Sequence, residues 1–133
     1  MISGGVGNDV SFELALAGQF GCRILLYDPS PTALRTMAKI PQPQRNLEFF
    51  PVGLGDRDGS TFFNPPRNPA EGSWEKPCRR PPIAPDGSQR FPIRAVGSLV
   101  REKGECPALV KLDIEGSEYE RSEEHTSELQ SRQ

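Results

Sequence analysis

The sequence predicts an α/β domain built on a mostly parallel sheet. Strand and helix signals alternate over most of residues 1–120. Two runs, Ile24-Leu25-Leu26-Tyr27 and Ala108 to Ile114, have the continuous apolar character of strands covered on both faces. A glycine-rich turn, Gly4-Gly5-Val6-Gly7, stands between the first strand signal and the first helix signal. A chain of 133 residues suffices for one small domain.

Met1-Ile2-Ser3 reads as the end of a first strand. After the glycine turn, Asn8 or Asp9 is a candidate helix cap. Val10, Leu14 and Ala17 fall on one apolar row and Phe12, Leu16 and Phe20 on a second, with Ser11, Glu13, Gly18 and Gln19 outside the arc. Gly21 ends that helix. Ile24 to Tyr27 is the second strand, broken by Asp28-Pro29-Ser30-Pro31, and Thr32 to Lys39 is a short second helix. Leu47 to Leu54 is a third strand, and Pro51 within it argues for a sheet edge. Asp56-Arg57-Asp58-Gly59 has turn chemistry, so Ser60 to Asn64 is expected to return as a hairpin arm. Pro92 to Ala95 is strand-like, Ser98 to Lys103 a brief helix, and Ala108 to Ile114 a last buried strand.

Two segments stand apart. Eight prolines fall between Pro65 and Pro92, and because proline removes a backbone donor, residues 65–92 are expected to form a loop or insertion outside any sheet or helix. Trp74 is expected to dock there on a core or a ligand. Residues 121–133 resemble the translation of a sequencing adapter and are set apart as a non-native tail. The tail holds His125, the single histidine, so histidine catalysis has no candidate in residues 1–120.

Composition narrows the function classes. The formal net charge is −2, and −1 without the charged residues of the tail, which removes the electrostatic case for nucleic acid. Hydrophobic residues make up 35%, with no run long enough to span a membrane and no secretory signal. Cys22, Cys78 and Cys106 are widely spaced, fitting neither a disulfide framework nor a zinc-ligand set, and a reducing cytoplasmic setting is the default.

Open α/β sheets bind ligands at the carboxyl ends of their strands. The Ser3-Gly4-Gly5-Val6-Gly7-Asn8-Asp9 segment offers close backbone approach, and free amides at the following helix start would favour a negative group. Asp28 ends the second strand 21 residues after Gly7, close to the separation of about 20 between glycine loop and acidic residue in dinucleotide-binding units. A carboxylate there can accept both hydroxyl protons of a ribose. The third glycine of G-x-G-x-x-G is missing, and no phosphate loop of the G-x-x-x-x-G-K-[ST] kind occurs.

The chain resembles the FkbM-type methyltransferases, which use S-adenosyl-L-methionine on a class I, Rossmann-like fold. The resemblance runs through Ser3 to Glu13, Tyr27 to Pro31, Val52 to Gly59 and Lys111 to Glu118, where Lys-Leu-Asp-Ile-Glu-Gly-Ser-Glu is the most specific stretch. It implies strands in the spatial order 3-2-1-4, with the later strands of the fold missing from a partial domain of residues 1–120. It also implies roles. Ser3 stands where such enzymes usually carry an acid, and Asp9 is a candidate substitute for it. Gly5 and Gly7 would line the methionine portion, Asp28 would hold the ribose, and Asp56 would lie near the adenine edge. Asp113 and Glu115 would flank the methyl group and acceptor, with Asp113 as base or, alternatively, as a salt-bridge partner of Lys111. The reaction would be methyl transfer to a hydroxyl of a small molecule or sugar.

Residues 1–120 alone are expected to bind the cofactor weakly or not at all and to show no turnover, with the last strand left as an apolar edge. Two other classes remain in view: a nicotinamide-dependent dehydrogenase domain and a non-catalytic α/β interaction domain. Neither the acceptor nor the oligomeric state is legible in the residues.

Overall fold

The computed structural model describes residues 1–41, 46–68, 70, 74 and 87–114. In chain order the first elements are β1 (Ile2–Gly4), α1 (Ser11–Phe20), β2 (Ile24–Tyr27), α2 (Pro31–Ala38) and β3 (Leu47–Phe50). They are followed by β4 (Gly53–Gly55), β5 (Gly59–Phe63), β6 (Gln89–Ala95), α3 (Val96–Lys103) and β7 (Val110–Leu112). Glu115, most of the proline-rich segment 65–92, the residues Glu118 and Tyr119, and the whole tail 121–133 lie outside the described residues.

A parallel sheet in the order β3-β2-β1-β7 forms the centre. This is the α/β arrangement and the strand order expected. A second sheet of three strands, ordered β4-β6-β5, was not foreseen. Strand alternation sends Ile24 and Leu26 to one face of the parallel sheet, where Val6, Val10, Ala17 and Ala33 from α1, α2 and their approaches bury them. It sends Ile2, Leu25 and Tyr27 to the other face, where Leu54 of β4 and Leu99 of α3 cover them. All four residues of β2 are buried, as its unbroken apolar run requires.

The helix signals hold, with shifted faces and, at α1, a shifted start: the cap position is Val10, without a side-chain cap, rather than Asn8 or Asp9. Ser30 caps α2 by accepting from the Ala33 amide at 3.1 Å, with Pro31 in the first helical position. Helix α1 ends at Gly21. Of its second apolar row only Leu16 packs against the core: Phe12 is 50% and Phe20 68% exposed, whereas Glu13, set outside the arc by its charge, is 1% exposed. Glu13 lies three residues after Val10 and four before Ala17, hence on the buried face. Burial of its carboxylate is tolerated because Ser3 and Lys111 supply hydrogen-bond donors.

Four further corrections follow from strand pairing. The Leu47 to Leu54 run is two strands, not one: after Pro51 the chain leaves the edge of the parallel sheet and β4 joins the second sheet. Ser60 to Asn64 does not return along β4, because β6 inserts between β4 and β5, parallel to the first and antiparallel to the second. Gln89 to Phe91, assigned to the loop, extend the expected Pro92–Ala95 strand into β6; Pro92 lies opposite Ser60 where β4 does not reach. Finally, β7 is half-exposed rather than buried, since among the described residues it has a strand partner only in β1.

Candidate functional site

The carboxyl ends of β1, β2 and β7 meet at one point. Directly after β1 the chain turns through Gly5 (φ +85°) and Gly7 (φ +54°), backbone angles that side chains disfavour. Gly5 is needed twice over, because a Cβ there would lie 1.9 Å from the Asp113 carbonyl oxygen at the end of β7. The Gly5 amide donates to the Tyr27 carbonyl at 3.0 Å, and the Asp113 amide to the Gly4 carbonyl at 2.9 Å. The bend is thus locked to both neighbouring strands.

Asp28 completes the lock. Its Oδ2 accepts from the amides of Val6 at 2.8 Å and Gly7 at 2.9 Å, and its Oδ1 from the Ser30 amide at 2.8 Å. The carboxylate is 7% exposed and lies against the bend rather than away from it. Thr36 of α2 donates its hydroxyl to the Gly7 carbonyl at 2.8 Å, holding the far side of the turn. The amides of the bend are not free. Gly5, Val6 and Gly7 each donate within the protein, and Ser11, first residue of α1, donates to Asp9 Oδ1 at 2.9 Å. That contact with the Ser11 amide is the main reason the Asp9 carboxyl is held below the usual aspartate range.

Above the bend opens a cleft of about 230 Å³. The bend, Asp28 and Asp113 line its floor, Leu54 and Phe63 of the second sheet one wall, and Phe12, Glu13 and Lys111 the opposite wall. Trp74 also borders it, its ring edge-on to Phe91 at 5.5 Å, so the docking expected of this residue is observed. Tyr27, stacked on Phe50 at 4.9 Å, reaches the same space, and burial pushes its phenol above the ordinary tyrosine value.

A buried polar cluster supports the Phe12 wall. The register of β1 and β7 pairs Ser3 with Lys111, so both side chains rise on the α1 face of the sheet. There Glu13 Oε1 accepts from Ser3 Oγ at 2.7 Å and from Lys111 Nζ at 3.0 Å. The Lys111 ammonium also stands 5.8 Å from the centre of the Phe12 ring.

Of the residues singled out in the sequence, Gly5, Gly7, Asp9, Asp28 and Asp113 line the cleft. Ser3 does not: its hydroxyl is fully buried under the Glu13 carboxylate. Asp56 does not either; it is exposed in the bend between β4 and β5, because the chain departs into the second sheet after Pro51. Glu115 lies outside the described residues. The pairing weighed between Asp113 and Lys111 is not formed, since Lys111 turns to Glu13. Asp28 is more constrained than expected. With Oδ2 taken by two amides, one acceptor position remains on Oδ1, so gripping both hydroxyls of a diol would require Oδ2 to release a backbone partner.

Sequence reasoning missed Glu13 and Lys111 as cleft residues. The signal for Glu13 was its position between Val10 and Ala17 on the buried row. Lys111 opens the most specific motif, but its pairing with Glu13 had no local signal, because the two are 98 residues apart in the chain. Comparison with protein-family models, with curated proteins and with solved structures found no match.

Proposed function

We propose that the cleft binds S-adenosyl-L-methionine and that the domain serves methyl transfer to a hydroxyl of a small molecule. The observation that carries this reading is the occupancy of the bend amides. A glycine turn that receives a pyrophosphate needs its N–H groups directed at the ligand. Here Gly5, Val6 and Gly7 spend theirs on Tyr27 and Asp28, and the carboxylate brings negative charge to the place a phosphate would take. The acids Asp9, Glu13, Asp28 and Asp113 line the cleft against Lys111 as the single base among its described lining residues. A nucleoside that carries a cation and no phosphate fits that balance; a dinucleotide does not. The motif resemblance from Lys111 to Glu118 points the same way.

The cofactor would supply an electrophilic methyl group on its sulfonium. The chain's own residues would do the rest. Asp28 Oδ1 has one lone pair left for a ribose hydroxyl, and Phe63 and Trp74 offer apolar and aromatic cover for a base. Asp113, exposed at the end of β7, is the carboxylate suited to accept the acceptor's hydroxyl proton. Rigid fixation of the bend by three strands supplies the alignment on which such a displacement depends.

The test is a titration of the chain with S-adenosylhomocysteine and, separately, with NAD, read from the amide resonances of Gly5, Val6 and Gly7. Saturable shifts with S-adenosylhomocysteine and none with NAD are expected, at an affinity weaker than micromolar. Shifts with NAD, or none with S-adenosylhomocysteine at millimolar concentration, would overturn the reading.

A further inference from the structure

Resting on that cofactor reading, we propose that Lys111 is the anchor for the α-carboxylate of the ligand's amino-acid end, with Glu13 as its positioning residue. Lys111 is the single basic side chain among the described residues lining a cleft otherwise furnished with carboxylates. Among the described lining residues, a ligand carboxylate meets the acids Asp9, Asp28 and Asp113 and one ammonium, so Lys111 is the charge among them that can receive it. The lysine is placed for this. Its side chain is 31% exposed, so it opens to the cleft while its paired carboxylate, 2% exposed, does not. One N–H of the ammonium is used on Glu13 Oε1, which leaves two donors.

The surrounding contacts are those of a held group rather than a free one. Glu13 fixes Nζ from below, the Phe12 ring faces it at 5.8 Å, and the hydroxyl of Ser3 orients Glu13 in turn. Apolar side chains of the same volume often hold such a position as well as an ion pair does, and here the pair sits on the wall of a binding cleft. The neighbouring acid Asp9, whose carboxylate feels the Lys111 charge, lines the same cleft and suits an ammonium beside the carboxylate. The wall therefore matches an α-amino acid zwitterion: carboxylate on Lys111, ammonium toward Asp9.

The experiment compares S-adenosylhomocysteine with 5′-methylthioadenosine, which keeps the nucleoside and the sulfur but lacks the amino-acid end. The wild-type chain is expected to bind S-adenosylhomocysteine about tenfold more tightly, the worth of one charge-assisted hydrogen bond. Lys111→Met should erase the preference while leaving the affinity for 5′-methylthioadenosine unchanged, and Lys111→Arg should restore most of it. Because Lys111→Met strands a buried carboxylate, the double variant Glu13→Gln/Lys111→Met serves if the single one does not fold. The wild-type preference should also fall as salt is raised. Equal wild-type affinity for the two ligands, or a preference that survives Lys111→Met, would overturn the anchor while leaving the cofactor reading intact. Absence of binding by both ligands would overturn the two together.

Discussion

At the scale of single residues, the bend shows how two glycines of one turn can differ in kind. Both Gly5 and Gly7 have positive φ, but a Cβ at Gly5 would strike the Asp113 carbonyl, whereas a Cβ at Gly7 would meet nothing within 4 Å. Gly7→Ala should therefore cost only the backbone penalty of about 1–2 kcal/mol. Gly5→Ala adds a collision with main chain that cannot rotate away, and should cost about 4 kcal/mol or more. Urea unfolding of the two variants measures both values; equal costs would mean that the bend and β7 are not in contact as described. The same scale shows why Glu13 escaped the sequence reading. A binary pattern assigns charge to solvent, and only the position three residues after Val10 and four before Ala17 argues otherwise. The donors that make its burial tolerable, Ser3 and Lys111, come from two other strands and leave no trace next to it in the chain. Asp28 was legible for the opposite reason: an acid ending an apolar strand at the right distance from a glycine turn is a local pattern.

At the scale of elements, local chemistry was readable and pairing partners were not. Pro31 after Ser30 marks the start of α2, and the apolar run of β2 marks an interior strand, because these signals lie within the element itself. The destination of β4 depends on β6, some forty residues further on, so a reading that runs along the chain joined it to β3 and sent β5 back as a hairpin arm. What secures this second sheet to α3 is Asp58. Its Oδ1 accepts from the Ala95 amide at 2.8 Å and from Arg94 Nε at 3.1 Å, and Arg94 also pairs with Glu102 of α3. The Ala95 amide first, then the Ser98 side chain and Arg94, hold the Asp58 carboxyl below the ordinary aspartate value. A carboxyl with a lowered pKa in the folded state stabilises above its unfolded pKa and ceases to do so as the pH falls through its folded pKa. Amide protection factors in β6 and α3 should thus fall below about pH 4. Asp58→Asn should exchange faster already at neutral pH and lose that acid-side dependence; an unchanged acid limb in the variant would refute the assignment.

At the scale of the whole molecule, the layers place the cleft and also leave one flank open. Helices α1 and α2 cover one face of the parallel sheet, and the second sheet with α3 covers the other through Leu54 and Leu99. The cleft opens at the carboxyl ends of the strands between the two layers, which is why it draws residues from the bend after β1, from α1, β2 and β7 and from the second sheet together. The β7 side has no such cover among the described residues. Leu109 is 45% and Val110 38% exposed, and the outer backbone of β7 has no strand partner there. An apolar strand with unpaired N–H and C=O groups is a template for another chain. The protein is therefore expected to self-associate with rising concentration, by edge pairing of β7 reinforced by burial of these side chains. Lysine on an edge strand opposes such pairing through its charge. Val110→Lys should shift sedimentation toward the monomer and change folding stability by no more than about 0.5 kcal/mol, since the replaced side chain is already substantially exposed. An identical change at the opposite flank, Phe49→Lys on β3, should instead destabilise, because Phe49 packs on the core beside α1 and α2. A wild-type chain that stays monomeric at high concentration, or a Val110→Lys variant that associates as strongly as wild type, would show that the β7 edge is covered.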